Sequence, residues 1–267
     1  MNKMFFFFLS AAAFIACNNS STADKIELHI KTFPVQCSVR AIATLDSNSV
    51  WFAGTGGQFG YTENGGKNWY IDSIQYGDST LEFRSIAVTK QAVFLLNVGS
   101  PALLFRSTDK GRNWATVYRE DHPACFYDAM AFWDAENGIA VGDPTDSCLS
   151  VIRTTDGGNN WAKLPCGQLP PIAEGEFAFA ASNTNIALKG QHAWIVSGGK
   201  RARVFHTPDR GASWEVFDTP IVQGGAMTGI FSADFYDENR GIIFGGDWQD
   251  QNRNNQNKAM TTHGGKH

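Results

Sequence analysis

From residue 25 onward the apolar positions come in short runs. Val50-Trp-Phe-Ala-Gly, Ala92-Val-Phe-Leu-Leu, Gly138-Ile-Ala-Val-Gly, Ala193-Trp-Ile-Val-Ser-Gly and Gly241-Ile-Ile-Phe-Gly-Gly are the clearest. Each is rich in β-branched or aromatic residues and is bounded by Gly and polar clusters, the pattern of a short strand. Another strand precedes each, as in Ser38-Val-Arg-Ala-Ile-Ala-Thr, Phe83-Arg-Ser-Ile-Ala-Val, Tyr127-Asp-Ala-Met-Ala-Phe and Ile230-Phe-Ser-Ala-Asp-Phe. A third follows, as in Leu104-Phe-Arg-Ser and Ser150-Val-Ile-Arg-Thr, and a fourth begins at a Trp, as in Trp114-Ala-Thr-Val-Tyr and Trp214-Glu-Val-Phe.

The third and fourth strands are joined by one recurring turn. It reads Thr62-Glu-Asn-Gly-Gly-Lys-Asn-Trp69, Ser107-Thr-Asp-Lys-Gly-Arg-Asn-Trp114, Thr154-Thr-Asp-Gly-Gly-Asn-Asn-Trp161 and Thr207-Pro-Asp-Arg-Gly-Ala-Ser-Trp214. A fifth copy, Thr261-Thr-His-Gly-Gly-Lys-His267, stops before its Trp. The Trp residues are 45, 47 and 53 apart. Four strands at such a period predict an all-β β-propeller of four-stranded antiparallel blades.

The turn explains its own residues. Asn64, Asp109, Asp156 and Asp209 can accept backbone N–H bonds and hold the turn. Gly66, Gly111, Gly158 and Gly211 supply a positive φ. Trp69, Trp114, Trp161 and Trp214 then lie back over it as hydrophobic lids. These residues are read as structural. His263 is a poorer acceptor, so the fifth turn is expected to be the weakest.

The motif resembles the Asp box, or bacterial neuraminidase repeat. With the Phe83-Arg-Ser-Ile-Ala strand and the Gly-ending second strand, the chain resembles the photosystem II assembly/stability factor-like propellers. The resemblance implies a ring that holds protein partners or assembly intermediates, with no cofactor. About five blades are expected, as part of a six- or seven-bladed ring incomplete at the C-terminus. The competing expectation is a five-bladed ring whose last blade takes Lys25–Phe33 as its outer strand, which would protect an open edge.

Residues 1–17 read as a bacterial secretory signal, with one early Lys, an apolar run and small residues before a Cys. Phe14-Ile-Ala-Cys17 resembles a lipobox, which implies a lipid on Cys17, a tether over 18–24 and a propeller domain over 25–267. The expected location is the bacterial cell envelope, lipid-anchored on the periplasmic or outer-membrane side. Cys37, Cys125, Cys148 and Cys166 allow three pairings or free thiols. A net charge of −4 without a basic block gives no sign of a nucleic-acid surface.

Two groups of candidate binding residues emerge. Arg40 and Arg84 hold matching places on two innermost strands and can address one anion in the central channel, while Asp128 holds that place in the third blade and offers a structural ion pair instead. On the face opposite the recurring turns, Asp143, Asp146, Lys200, Arg201, Asp247, Trp248 and Asp250 lie in polar, Gly-rich loops, where binding residues concentrate on rigid scaffolds. No catalytic or metal residue is singled out and no cofactor is expected. Gly54-Thr-Gly56 lies in a β-to-β turn, so it gives no support to an oxidoreductase.

The leading expectation is a non-catalytic scaffold that binds a protein partner or an envelope glycan. The alternative is a sialidase-like glycoside hydrolase or a carbohydrate-binding propeller. A sialidase needs three arginines, a Tyr nucleophile with Glu, and an acid/base Asp. Here Arg40 and Arg84 offer two, no third Arg stands in a convincing place, and Tyr127 has no evident Glu partner in the sequence. The oligomeric state is left open.

Overall fold

The computed structural model describes Ile30, Thr32 and residues 35–179 and 183–266. The chain divides into the units Met1–Thr32 and Phe33–His267, and the second carries the strands described here. The signal, Cys17 and most of the 25–33 segment lie outside the described residues.

Five antiparallel sheets follow one another along the chain. Blade 1 is β1 (Val39–Thr44), β2 (Val50–Gly54), β3 (Gln58–Thr62) and β4 (Tyr70–Ser73). Blade 2 is β5 (Phe83–Val88), β6 (Val93–Asn97), β7 (Ala102–Ser107) and β8 (Ala115–Glu120). Blade 3 is β9 (Tyr127–Phe132), β10 (Gly138–Gly142), β11 (Ser150–Thr154) and the short β12 (Ala162–Lys163). The chain then forms β13 (Glu176–Phe177) and enters blade 4 through β14 (Ile186–Lys189) and β15 (His192–Val196). After β16 (Gly198–Gly199), blade 4 closes with β17 (Arg203–Thr207) and β18 (Glu215–Asp218). Blade 5 holds β19 (Thr228–Phe235), β20 (Gly241–Asp247) and β21 (Lys258–Thr261). The all-β propeller expected from the repeat is therefore the observed fold.

One departure is local. The sequence places Gly198 at the end of the second strand of blade 4, but Gly198–Gly199 pair with β13, and Gly198 also pairs with Gly229 of β19. The approach is close enough that a Cβ on Gly229 would fall 2.2 Å from Gly198 Cα. Only Gly permits it. A run of glycines reads as a turn until its tertiary partner is known.

The core is distributed between blades. One buried cluster joins Ala41, Trp51 and Phe59 of blade 1 to Phe83, Ile86 and Phe105 of blade 2. Similar clusters join blades 2 and 3 through Phe94, Leu104, Tyr127 and Met130, blades 3 and 4 through Val141, Val151, Ile195 and Phe205, and blades 4 and 5 through Trp194, Val204, Ile230 and Phe235. Polar clasps reinforce the stack. Arg106 Nε of blade 2 donates to the Gly157 carbonyl in the turn of blade 3 at 3.0 Å, and Arg153 Nη1 of blade 3 donates to the Arg210 carbonyl of blade 4 at 3.1 Å.

The recurring turn has one geometry in four copies. The Ser107 hydroxyl donates to Asp109 Oδ1 at 2.8 Å and accepts from Gly111 N at 2.8 Å, while Asp109 Oδ1 accepts from Asn113 N at 2.9 Å. Thr62 with Asn64, Thr154 with Asp156 and Thr207 with Asp209 repeat it. These bonds hold the Asp109 carboxyl down at about 2, led by the Asn113 side chain. In the fifth turn Thr261 Oγ1 accepts from His263 N and Gly265 N. The Trp lids reach back to earlier strands, Trp114 edge-on to Phe59 and Trp161 edge-on to both Phe94 and Phe132.

Candidate functional site

The innermost strands β1, β5, β9 and β19 share an irregularity. Each skips one residue in its pairing with the next strand, between Val39 and Ala41, Phe83 and Ser85, Tyr127 and Ala129, and Ile230 and Ser232. The extra residues are Arg40, Arg84, Asp128 and Phe231. A β-bulge leaves one residue unpaired and re-aims its side chain, so the matching places read from the sequence correspond to a repeated backbone device. Sequence reasoning missed Phe231, because an aromatic residue carries no charge to mark it.

Buried polar atoms in this region lack partners. Arg40 Nε, Ser85 Oγ and both carboxylate oxygens of Asp128 are buried with no hydrogen-bond partner. Asp128 is fully buried. Burial pushes its carboxyl well above the usual range; the nearby Asp143 carboxylate adds to the shift and the Arg84 guanidinium opposes it. Arg84 is held by Glu82, whose Oε1 accepts from its Nε at 2.8 Å, and it lies 5.6 Å from the Phe126 ring centre. The ion pair offered by Asp128 in the sequence is thus not made as a hydrogen-bonded pair. Native proteins rarely leave a buried carboxylate unsatisfied, and each exception calls for an explanation.

Asp143, read as a loop-face acid, sits beside Asp128. Its N–H donates to the Phe126 carbonyl at 2.7 Å, and its Oδ1 accepts from Ala178 N at 3.0 Å. Burial pushes its carboxyl up to about 7 against the Ala178 bond, which lowers it.

The other loop residues engage separate neighbours. Arg201 pairs with Asp218, and Lys200 lies 3.5 Å from Glu174. Asp247 Oδ1 accepts from Gln249 N, and its other oxygen lies 3.9 Å from Arg253. Asp250 Oδ1 accepts from Asn252 N at 3.3 Å. Trp248 is 65% exposed. Asp146 lines a cleft of about 430 Å³ with Glu120, His122, Thr145 and Lys163. One wall of that cleft is the disulfide Cys148–Cys166, while Cys37 and Cys125 are free. This settles what the sequence left open, since strand spacing alone does not say which Cβ atoms face each other.

Tyr127 has a Glu partner after all. Its hydroxyl donates to Glu120 Oε2 at 2.8 Å, Tyr118 donates to the same oxygen at 2.9 Å, and Lys163 holds Glu120 Oε1. Burial works against the Glu120 charge, but these donors outweigh it and keep its carboxyl below the usual range. Tyr127 is fully buried, and burial pushes its phenol far up. A fully buried phenol bonded to Glu120 packs within the blade. Glu120 follows the second turn and precedes Tyr127 by seven residues, a spacing with no helical or strand periodicity to flag it.

The family described as "Photosynthesis system II assembly factor YCF48" matches residues 18–125. A photosystem II assembly lipoprotein Ycf48 of Synechococcus sp. (strain CC9902) is 27% identical over 146 residues, which are 54% of this chain and 40% of that protein's length. Among solved structures, YCF48 bound to a D1 peptide superposes with a TM-score of 0.54 at 14% identity, covering 86% of this chain and 68% of that one. A GH74 xyloglucanase from Xanthomonas campestris superposes with a TM-score of 0.59 at 16% identity, over 86% of this chain and 37% of that one. At these identities the structural likenesses speak for fold alone. The chain is thus similar to the YCF48 family over residues 18–125 and spans less than half the length of the curated relative, while its observed fold is a β-propeller.

Proposed function

We propose that the chain is a non-catalytic scaffold that binds a segment of a protein partner at the channel, with Arg40 and Arg84 receiving an anionic group of that segment. The observation that carries the reading is the buried, unpartnered Nε of Arg40, on a bulge of the strand next to the one that bears Arg84. A guanidinium presents its donors in a planar fork suited to a carboxylate, and an unused buried donor is costly unless a ligand takes it. The relatives support a protein partner, since one is a photosystem II assembly lipoprotein and another was solved with a D1 peptide. The chain is further proposed to sit on the cell envelope through a lipid on Cys17, and Cys17→Ser is expected to release it from membranes.

The deciding experiment is a peptide array drawn from envelope proteins, probed with the wild type and with Arg40→Ala/Arg84→Ala. Binding to acidic segments, lost in the double variant at unchanged melting temperature, supports the reading. Equal binding by both proteins, or binding by neither, sinks it. A second reading, glycan binding, has one observation in its favour: the exposed Trp248 ring flanked by Asp247 and Asp250 suits stacking on a sugar.

A further inference from the structure

Blade 4 carries a buried polar group that the channel reading does not use. His206 of β17 is buried, and its Nδ1 has no hydrogen-bond partner. Its Nε2 lies 2.9 Å from Nδ1 of His192 on β15, so the two imidazoles share one N–H···N bond. A neutral imidazole has one donor and one acceptor, whereas an imidazolium has two donors. The bond therefore forms with both rings neutral or with one charged, and it is lost when both are charged. A carboxylate stands beyond each outer nitrogen. Glu238 Oε2 is 3.7 Å from His192 Nε2, and Glu215 Oε2 is 3.7 Å from His206 Nδ1.

These groups come from two blades. His192, His206 and Glu215 belong to blade 4, whereas Glu238 sits in the turn between β19 and β20 of blade 5. Lys266, in the fifth recurring turn, lies 3.7 Å from the same Glu215 oxygen. Trp194 of β15 joins the parts. Its ring stacks on His192 and His206, with centres 5.5 and 5.2 Å away, and its indole N–H donates to the Gly264 carbonyl of the fifth turn at 2.9 Å. Other charged groups on the elements packed around the pair have their own neighbours: Asp237 pairs with Arg240, Asp134 of blade 3 pairs with Arg210, and His263 shares a hydrogen bond with Thr262. Lys189 of β14 stands across the ladder from His192.

We propose that the His192–His206 pair is an acid-sensitive latch between blade 4 and the turns of blade 5, closed while at most one ring is charged and opened by the second proton. The latch does not depend on the channel reading. A pair with one added proton has an N–H at each outer nitrogen, and each then faces a carboxylate. A second added proton has no place except on the shared bond, and two buried like charges at that distance do not both persist. With the latch open, each imidazole takes its proton near its ordinary value of about 6.5. The open form then binds more protons than the closed one, so opening becomes more favourable as pH falls below that value, by up to about tenfold per pH unit. Burial and the His192 charge both lower the proton affinity of His206, which acts in the same direction.

The test follows the full chain by NMR from pH 7.5 to pH 4.5. It reads the ring nitrogens of His192 and His206 and the hydrogen-exchange protection of the Trp194 indole N–H. The Ala140 amide of β10, buried in blade 3, is the reference. The two rings are expected to titrate in two separate steps. Trp194 protection should fall by up to about tenfold per pH unit through the second step, while Ala140 stays protected. His192→Gln gives His206 a neutral partner, so the acid-driven loss at Trp194 should shrink several-fold; the slope with pH is compared, whatever the level at pH 7.5. Glu215→Gln, a second variant that keeps both rings, should move the first step to lower pH. Rings that titrate together in one step, a Trp194 signal that stays protected after the second proton, or an equal loss in His192→Gln overturns the latch. A parallel loss at Ala140 means general acid unfolding and overturns it too.

Discussion

The recurring turns and the bulge of β9 both carry an aspartate and treat it in opposite ways. In the turn of blade 3, Thr154 is buried, and its hydroxyl both donates to Asp156 and accepts from Gly158 N. Asp156 in turn accepts from Asn160 N and Asn160 Nδ2, and these bonds keep its carboxyl below the usual range. On the β9 bulge of the same blade, Asp128 is buried with neither oxygen satisfied, and its carboxyl is pushed up. The Tyr127–Glu120 pair one residue away shows that this blade can satisfy a buried acid, through Tyr118, Tyr127 and Lys163. A satisfied polar network holds the fold, whereas an unsatisfied buried group costs stability.

Substitutions should separate the two regions by sign as well as by size. Trp161→Ala empties the space between Phe94 and Phe132 and is expected to cost about 3–5 kcal/mol in denaturant unfolding. A loss near zero would mean that the lid is ornamental. Replacing Cys148 and Cys166 together by Ser opens a loop with a sequence separation of 18 and should cost about 3 kcal/mol under oxidising conditions, and nothing when the wild type is compared reduced. Thr154→Val keeps the shape of the side chain but leaves Gly158 N without its acceptor, which should cost about 1–3 kcal/mol.

Asp128→Asn is expected to act the other way. In the ligand-free protein, Asp128 and Asp143 bind protons more tightly folded than unfolded. When the folded state holds more protons, stability falls as pH rises. The window opens near the ordinary value of 3.8 and extends to about 7 for Asp143. Within it each such group costs up to about 1.4 kcal/mol per pH unit. Asp128→Asn should therefore be stabilised relative to wild type at pH 8 more than at pH 4, read as the difference between two melting curves. A variant less stable than wild type at pH 8 would place Asp128 with the structural acids of the turns. The smallest effect is expected at Trp248→Ala, which is exposed and should stay within about 0.5 kcal/mol of wild type. Loss of binding to an envelope glycan in that variant would favour the glycan reading.

Much of the fold was legible because it is carried by local rules repeated along the chain. Ser/Thr, Asp, Gly and Trp at fixed offsets specify a turn within eight residues, and the structure repeats its hydrogen bonds in four copies. The short strands were equally readable from their boundaries. Gly198–Gly199 was not, because its partner Gly229 is distant in sequence. The disulfide, the Glu120–Tyr127 bond and the Asp128–Asp143 neighbourhood share that character: each depends on which residues the blades bring face to face.

The sequence by itself therefore determined the repeat, the strands, the turn chemistry and the equivalence of Arg40, Arg84 and Asp128, since all of these follow from spacing within a blade. Only the tertiary structure decided which acids are buried, which are satisfied and which cysteines meet. Hydrogen-bond partners and desolvation are set by atoms from other blades, and the charge state of a carboxyl depends on those neighbours more than on its own position in the chain.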